Sequence, residues 1–192
     1  MQEKLNDDIS SKRERLKEII TEKSLTTGNF TLASGAKSTY LFDLKTTLLD
    51  PEGASLTADL ILENIAKEDV DAVGGLELGA CPIVSSVCVK SFLAGSPVRS
   101  FYVRKERKDR GSNKLIEGCE INNGDKVIIL EDVTTKGGSV MSAINTVKEK
   151  GGVILKVLSV VNRLEGAKEN LEKEGIVLDS LFTRDDFNIP EL

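Results

Sequence analysis

Apolar positions along the chain recur in two rhythms. Between Ile9 and Leu25, the residues Ile9, Leu16, Ile19 and Ile20 stand among many charges. That is the narrow apolar stripe of an amphipathic helix, and Thr27-Gly28 should end it. Short apolar stretches at Phe30–Leu32 and Tyr40–Leu44, on either side of Ser34-Gly35, predict two strands and a turn. Asp50-Pro51-Glu52 opens a helix running to about Lys67, with Asp50 as N-cap and Pro51 in the first helical position.

From there strand and helix alternate. Strands are predicted at Val70–Leu76, Val98–Val103, Val127–Leu130, Val153–Val161 and Ile176–Phe182. Helices are predicted at Ala80–Leu93, Gly137–Lys150 and Ala167–Glu174. The stretch Arg104–Glu117 is charged and without periodicity. Such alternation implies right-handed crossovers and an α/β fold, a mostly parallel central sheet flanked by helices. Residues 1–192 read as one domain, with about 1–50 forming a helix and hood on an α/β core of about 51–192.

Composition removes several chemistries. The chain has no His, so triads built on imidazole and zinc sites that need it are excluded. Acid–base work would fall to Asp, Glu, Lys, Tyr or a substrate group. Lys plus Arg number 26 against 31 Asp plus Glu, a net charge of −5, which argues against a nucleic-acid partner. Cys81, Cys88 and Cys119 are odd in number and irregularly spaced, so reduced thiols in a cytoplasmic protein are expected. Met1–Asp8 is too polar for a signal peptide, and no apolar run suggests a membrane span.

The most informative stretch is KVIILEDVTTKGGSVMSAI, Lys126 to Ile144. An apolar strand ends in Glu131 and Asp132. Small and hydroxyl residues follow, and then a helix with Val140, Ala143, Ile144 and Val147 on one face. A strand-to-helix loop of this kind lets backbone N–H groups approach an anion, and the helix dipole favours it. Carboxylates repel phosphate, so Glu131 and Asp132 should face hydroxyls or a hydrated cation. A sugar with a vicinal diol and a 5-phosphate satisfies both halves; an ordinary βα turn with exposed acids is the alternative.

The stretch resembles the phosphoribosyl diphosphate (PRPP) motif of the type I phosphoribosyltransferases. FTLASGAKSTYLFDLK (Phe30–Lys45), GGLELGACPI (Gly74–Ile83), FYVRKERKDRGSNKLIEG (Phe101–Gly118), VVNRLEGA (Val160–Ala167) and LFTRDDF narrow the resemblance to the orotate phosphoribosyltransferases. These segments lie in family order over nearly the whole chain. The resemblance implies a type I phosphoribosyltransferase fold with an N-terminal hood. It also implies transfer of phosphoribosyl from PRPP to orotate in pyrimidine biosynthesis, with Mg²⁺ as cofactor.

It further implies residue roles. Glu131 and Asp132 would hold the ribose. Val133, Thr134, Thr135, Lys136, Gly137, Gly138 and Ser139 would surround the 5-phosphate. Arg104, Lys105, Lys108 and Arg110 would line the PRPP site from a mobile loop. In the family's homodimer this loop reaches the neighbouring subunit, and Lys105, Lys108, Arg110 and Asp132 would be catalytic. Thr135 and Arg163 would contact orotate, with Tyr40 and Phe42 walling the base. Mg²⁺ would ride mainly on PRPP and water, without a carboxylate cage.

Three positions depart from the family pattern. Arg110 stands where His is usual, so the loop keeps its charge but cannot titrate near neutrality. Lys136 replaces a small or hydroxyl residue, and either adds charge near the phosphate or points to solvent. Ala33 stands where some members carry Lys, with Lys37 or Lys45 able to compensate.

Overall fold

The computed structural model describes residues 2–31, 37–106 and 114–189. Helix α1 spans Gln2–Lys23 and is followed by a two-stranded antiparallel sheet, β1 (Leu25–Thr31) and β2 (Lys37–Phe42). One turn of helix, α2 (Lys45–Leu48), leads to α3 (Pro51–Ile65). The remaining elements are β3 (Ala72–Leu76), α4 (Ala80–Leu93), β4 (Arg99–Val103), β5 (Ile116–Gly118), β6 (Lys126–Thr134), α5 (Gly138–Glu149), β7 (Val153–Asn162), α6 (Ala167–Glu172) and β8 (Leu178–Thr183). A 3-10 turn, Arg184–Asp186, follows β8 and is closed by a capping box from Thr183.

Six strands form the main sheet in the order β5-β4-β3-β6-β7-β8. Only β5 runs antiparallel to its neighbour. Period-two alternation divides the strands between two cores. Ile128 and Leu130 of β6 join Leu16, Ile20, Ile61, Val84 and Val87 on one face. Val127 and Ile129 join Val140, Ile144, Val147 and Leu171 on the other. A parallel sheet covered on both faces reads as continuous apolar runs, as β3 and β6 do.

Asp50 caps α3 as its residue type implies, accepting from the backbone N–H groups of Glu52 (3.1 Å) and Gly53 (3.0 Å). Helix α4 begins and ends where its periodicity does. Three expectations need correction. Leu25 belongs to β1 and not to the first helix, because Ser24 breaks the chain there. Its hydroxyl bonds the hydroxyls of Thr46 and Thr47, and its carbonyl accepts from Asp43 N–H. Strand β5 arises inside the stretch read as aperiodic, from pairing with β4. Strand β6 extends four residues past Leu130 to Thr134, because β7 offers a long partner: Glu131, Val133 and Thr134 pair with Ser159, Val161 and Asn162.

These pairings place the carboxyl ends of β3, β4, β6 and β7 along one edge. Strand order reverses between β3 and β6: β4 lies on one side of β3 and β6 on the other. Ligands of open α/β sheets bind in the crevice at such a switch point.

Candidate active site

A cleft of about 340 Å³ opens at that switch point. It is lined by Lys45, Leu76, Glu77, Leu78, Gly79, Lys105, Glu131, Asp132 and Ser139. Each wall follows from strand pairing. Leu76 sits opposite Val103, so the residues after β3 and β4 emerge side by side. Glu77 N–H donates to Val103 O at 2.8 Å, and Lys105 N–H donates to Glu77 Oε1 at 2.9 Å. The Glu77-Leu78 peptide is cis. Gly79 has no room for a side chain: a Cβ there would lie 2.5 Å from Asp132 Oδ1. The loop after β3 is therefore pressed directly against the Asp132 carboxyl.

Glu131 and Asp132 lie on the last residues of β6 and not in the loop beyond. Asp132 Oδ1 accepts from Val133 N–H at 2.8 Å. Glu131 is buried, and its Oε2 has no hydrogen-bond partner among the described residues. Burial first, and then the adjacent Asp132 carboxyl, push the Glu131 carboxyl up to about 9, against smaller opposing pulls from the Asp132 backbone N–H and from Lys105. So raised, Glu131 is a neutral acid at pH 7, able both to donate to and to accept from a sugar hydroxyl.

The loop from Thr134 to Gly138 is braced from behind. Thr135 O accepts from Ala167 N–H (3.0 Å) and Lys136 O from Asn170 Nδ2 (3.0 Å), both on α6. Gly137 is the N-cap of α5 at φ 82°, a left-handed conformation glycine adopts without strain. No side chain caps α5, so its first N–H groups and its dipole face the cleft mouth, where Ser139 lies.

Of the residues named from sequence, the cleft brings together Lys105, Glu131, Asp132 and Ser139. Thr134 is buried, and its hydroxyl bonds Ser159 Oγ at 3.3 Å. Lys136 is exposed and does not line the cleft. Arg104 does not line it, and its Nη1 lies 4.0 Å from Glu117 Oε1. Lys108 and Arg110 lie outside the described residues. Lys45, named with Lys37 as able to compensate for Ala33, also lines the cleft. Glu77, Leu78 and Gly79 were not singled out one by one, and the signal for them was the likeness of Gly74–Ile83 to a family loop.

A second cluster adjoins the loop. Arg163 N–H donates to Thr134 O at 2.9 Å, which ties the end of β7 to the end of β6. The Arg163 guanidinium is buried under Tyr40, with Cζ 4.5 Å from the ring centroid. It donates to Tyr40 Oη (3.3 Å) and Ser38 Oγ (3.3 Å) and pairs with Glu165 Oε1 at 2.8 Å. Phe42 packs edge-on against Tyr40 and Phe187, and Arg184 Cζ lies 5.5 Å from the Tyr40 ring centroid. The candidate orotate residues Tyr40, Phe42 and Arg163 thus form one buried aromatic and cationic cluster, and none of them lines the cleft.

The cysteines are free thiols, and burial raises those of Cys81 and Cys119, so neither is an activated nucleophile. Among the described residues no three Asp, Glu or Cys side chains converge as a metal cluster. None of the described helices is long and apolar enough to cross a membrane.

An acid pair at the end of a central strand, a glycine-opened helix N-terminus beside it and a hood over the crevice define a type I phosphoribosyltransferase. A scan against protein-family models finds no match. The orotate phosphoribosyltransferase of Bradyrhizobium diazoefficiens is 43% identical over 181 residues, covering 93% of this chain and 97% of the relative. The crystal structure of Mycobacterium tuberculosis orotate phosphoribosyltransferase with Fe(III) dicitrate superposes with a TM-score of 0.82 at 35% identity, covering 93% of this chain and 99% of that one. The same enzyme in complex with PRPP gives a TM-score of 0.76 at 34% identity, over 91% and 98% of the two chains. The chain belongs to the orotate phosphoribosyltransferase family.

Proposed function

We propose that this chain transfers the 5-phosphoribosyl group of PRPP to orotate, giving orotidine 5′-monophosphate and diphosphate. The observation that carries this reading is the cleft itself. A neutral Glu131 and a half-buried Asp132 face the uncapped start of α5, with Lys105 on the far wall. That pattern complements a diol, a 5-phosphate and a polyanionic leaving group.

In the reaction, orotate N1 attacks the anomeric carbon as the bond to diphosphate breaks. Glu131 and Asp132 hold the ribose 2- and 3-hydroxyls and so fix the ring against the incoming nitrogen. Backbone N–H groups of Thr134 to Ser139 hold the 5-phosphate. Lys105, held beside β3 through Glu77, supplies positive charge where diphosphate charge develops, joined by Lys108 and Arg110 from the loop. Arg163 offers a guanidinium fork to the orotate carboxylate, and Tyr40 covers the ring. Closure of the Arg104–Glu117 stretch would exclude water, which would otherwise hydrolyse PRPP.

The residues present fit a magnesium ion delivered on the substrate. Asp132 and Glu77 line the cleft as single carboxylates and would hold such a hydrated cation there. The chemistry it would supply is neutralisation of leaving-group charge.

Loss of orotate absorbance on adding PRPP and Mg²⁺ tests the reading. A panel of bases in the same assay tests the choice of orotate, and unchanged orotate with consumption of a purine would refute it. We further infer a cytoplasmic homodimer whose loops serve the partner's cleft. An Asp132→Asn chain mixed with a Lys105→Ala chain should then regain partial activity. No recovery in verified heterodimers places each loop over its own cleft.

A further inference from the structure

Arg163 presents a difficulty for any substrate. It is 5% exposed, its Nε donates to Tyr40 Oη, and its Nη2 is shared between Ser38 Oγ and Glu165 Oε1. A carboxylate held bidentately by this fork must take Nη2, and so must replace Ser38 or Glu165 there. Ser38 and Tyr40 are poor candidates to leave. Both are buried on β2, Ser38 Oγ is also bonded to Tyr40 O at 2.7 Å, and Tyr40 is wedged against Phe42. Glu165 differs in each respect. Its side chain is 33% exposed, against 5% for that of Arg163. It lies on a turn between two left-handed residues, Leu164 at φ 58° and Gly166 at φ 97°. Among the acceptors on Arg163, it is also the one that carries a carboxylate.

We propose that Glu165 is an internal stand-in for the substrate carboxylate, seated on the Arg163 fork when the base site is empty and displaced by orotate. The proposal rests on the assignment of Arg163 to orotate made above. Its physical basis is the cost of a buried unpaired cation. A guanidinium at this depth without a counter-charge would be strongly destabilising. Glu165 removes that cost in the free chain, and orotate then exchanges one carboxylate for another with no change in the charge around Arg163. A pyrimidine without a carboxylate has nothing to offer in the exchange, and Glu165 stays in place. Orotate affinity is accordingly the difference between two similar ion pairs, which keeps binding weak enough for turnover.

Glu165→Gln removes the competing charge and keeps the shape. The Michaelis constant for orotate should fall about fivefold, the size of a partly exposed ion pair. The Michaelis constant for PRPP should not move, a split that a merely structural role would not produce. Glu165→Asp, which keeps the charge on a shorter stem, should lie between wild type and Gln. An unchanged or raised orotate constant in Glu165→Gln, with a raised one in Arg163→Gln, overturns the stand-in and leaves the Arg163 assignment standing. An orotate constant unmoved by Arg163→Gln overturns both. Should Glu165→Gln fail to fold, a crystal structure of the wild-type chain with orotate decides. Glu165 withdrawn from Arg163 supports the proposal, and Glu165 still paired at hydrogen-bond distance overturns it.

Discussion

Glu131→Gln isolates the consequence of burying an acid at the end of β6. An unfolded Glu titrates near 4.5, whereas in the folded chain the Glu131 carboxyl is pushed up to about 9. Between those values the native state binds a proton that the unfolded state has lost. Stability is therefore full below the lower value and falls as pH rises toward the upper one. Each pH step in that window costs about 1.36 kcal/mol, which gives an upper limit of roughly 4 kcal/mol at pH 7.5. Relaxation and water entry into the cleft reduce this, and about 2 kcal/mol is a reasonable working figure. Gln cannot titrate and has nearly the same shape. Its stability relative to wild type should be close to zero at pH 5 and should grow steadily to pH 8. For a chain of this size that is a gain of about 4–8 °C in Tm at pH 7.5. Thermal unfolding of both proteins across pH 5 to 8.5 measures it. Parallel curves, with a constant difference at every pH, would refute the reasoning, since Glu131 would then titrate alike folded and unfolded. The same substitution should depress turnover, because function has retained an acid where stability would favour an amide.

Other outcomes follow from the cleft and its supports. Lys105→Ala should lower kcat by about a hundredfold or more, the scale of one lost charge-stabilising group, with an unchanged circular-dichroism spectrum; undiminished kcat would remove Lys105 from the reaction. Gly79→Ala places a methyl group against the Asp132 carboxyl and should raise the Michaelis constant for PRPP about tenfold while Tm changes little. Wild-type affinity would mean that the loop after β3 shifts freely. Asp50→Ala removes the acceptor for two N–H groups of α3 and should cost about 1 kcal/mol, seen as a Tm lower by about 2–4 °C with kcat retained.

Local chemistry determined much of this molecule. Asp50-Pro51, the apolar period of α4 and the uninterrupted apolar runs of β3 and β6 act through neighbours in sequence, so their elements could be read directly. The acid pair, the glycines before α5 and the cationic stretch after β4 were legible for the same reason: each is contiguous, and each resembles a family segment. Elements that depend on distant partners were not. Strand β5 is three residues held by β4, and α2 is one turn whose Thr47 and Leu48 are buried by α1 and α3. The last four residues of β6 are strand only because β7 continues beside them.

Tertiary structure also decided the state of the site. A sequence shows Glu131 beside Asp132 but not that one is buried with an unpartnered oxygen and the other is half-exposed. It shows Arg163 two residues from Glu165 but not a guanidinium roofed by Tyr40, 123 residues away. Residue types and their order settle which chemistry is present. Burial and long-range approach set its charge and access, because desolvation and Coulomb energies depend on depth and distance, which only the folded chain defines.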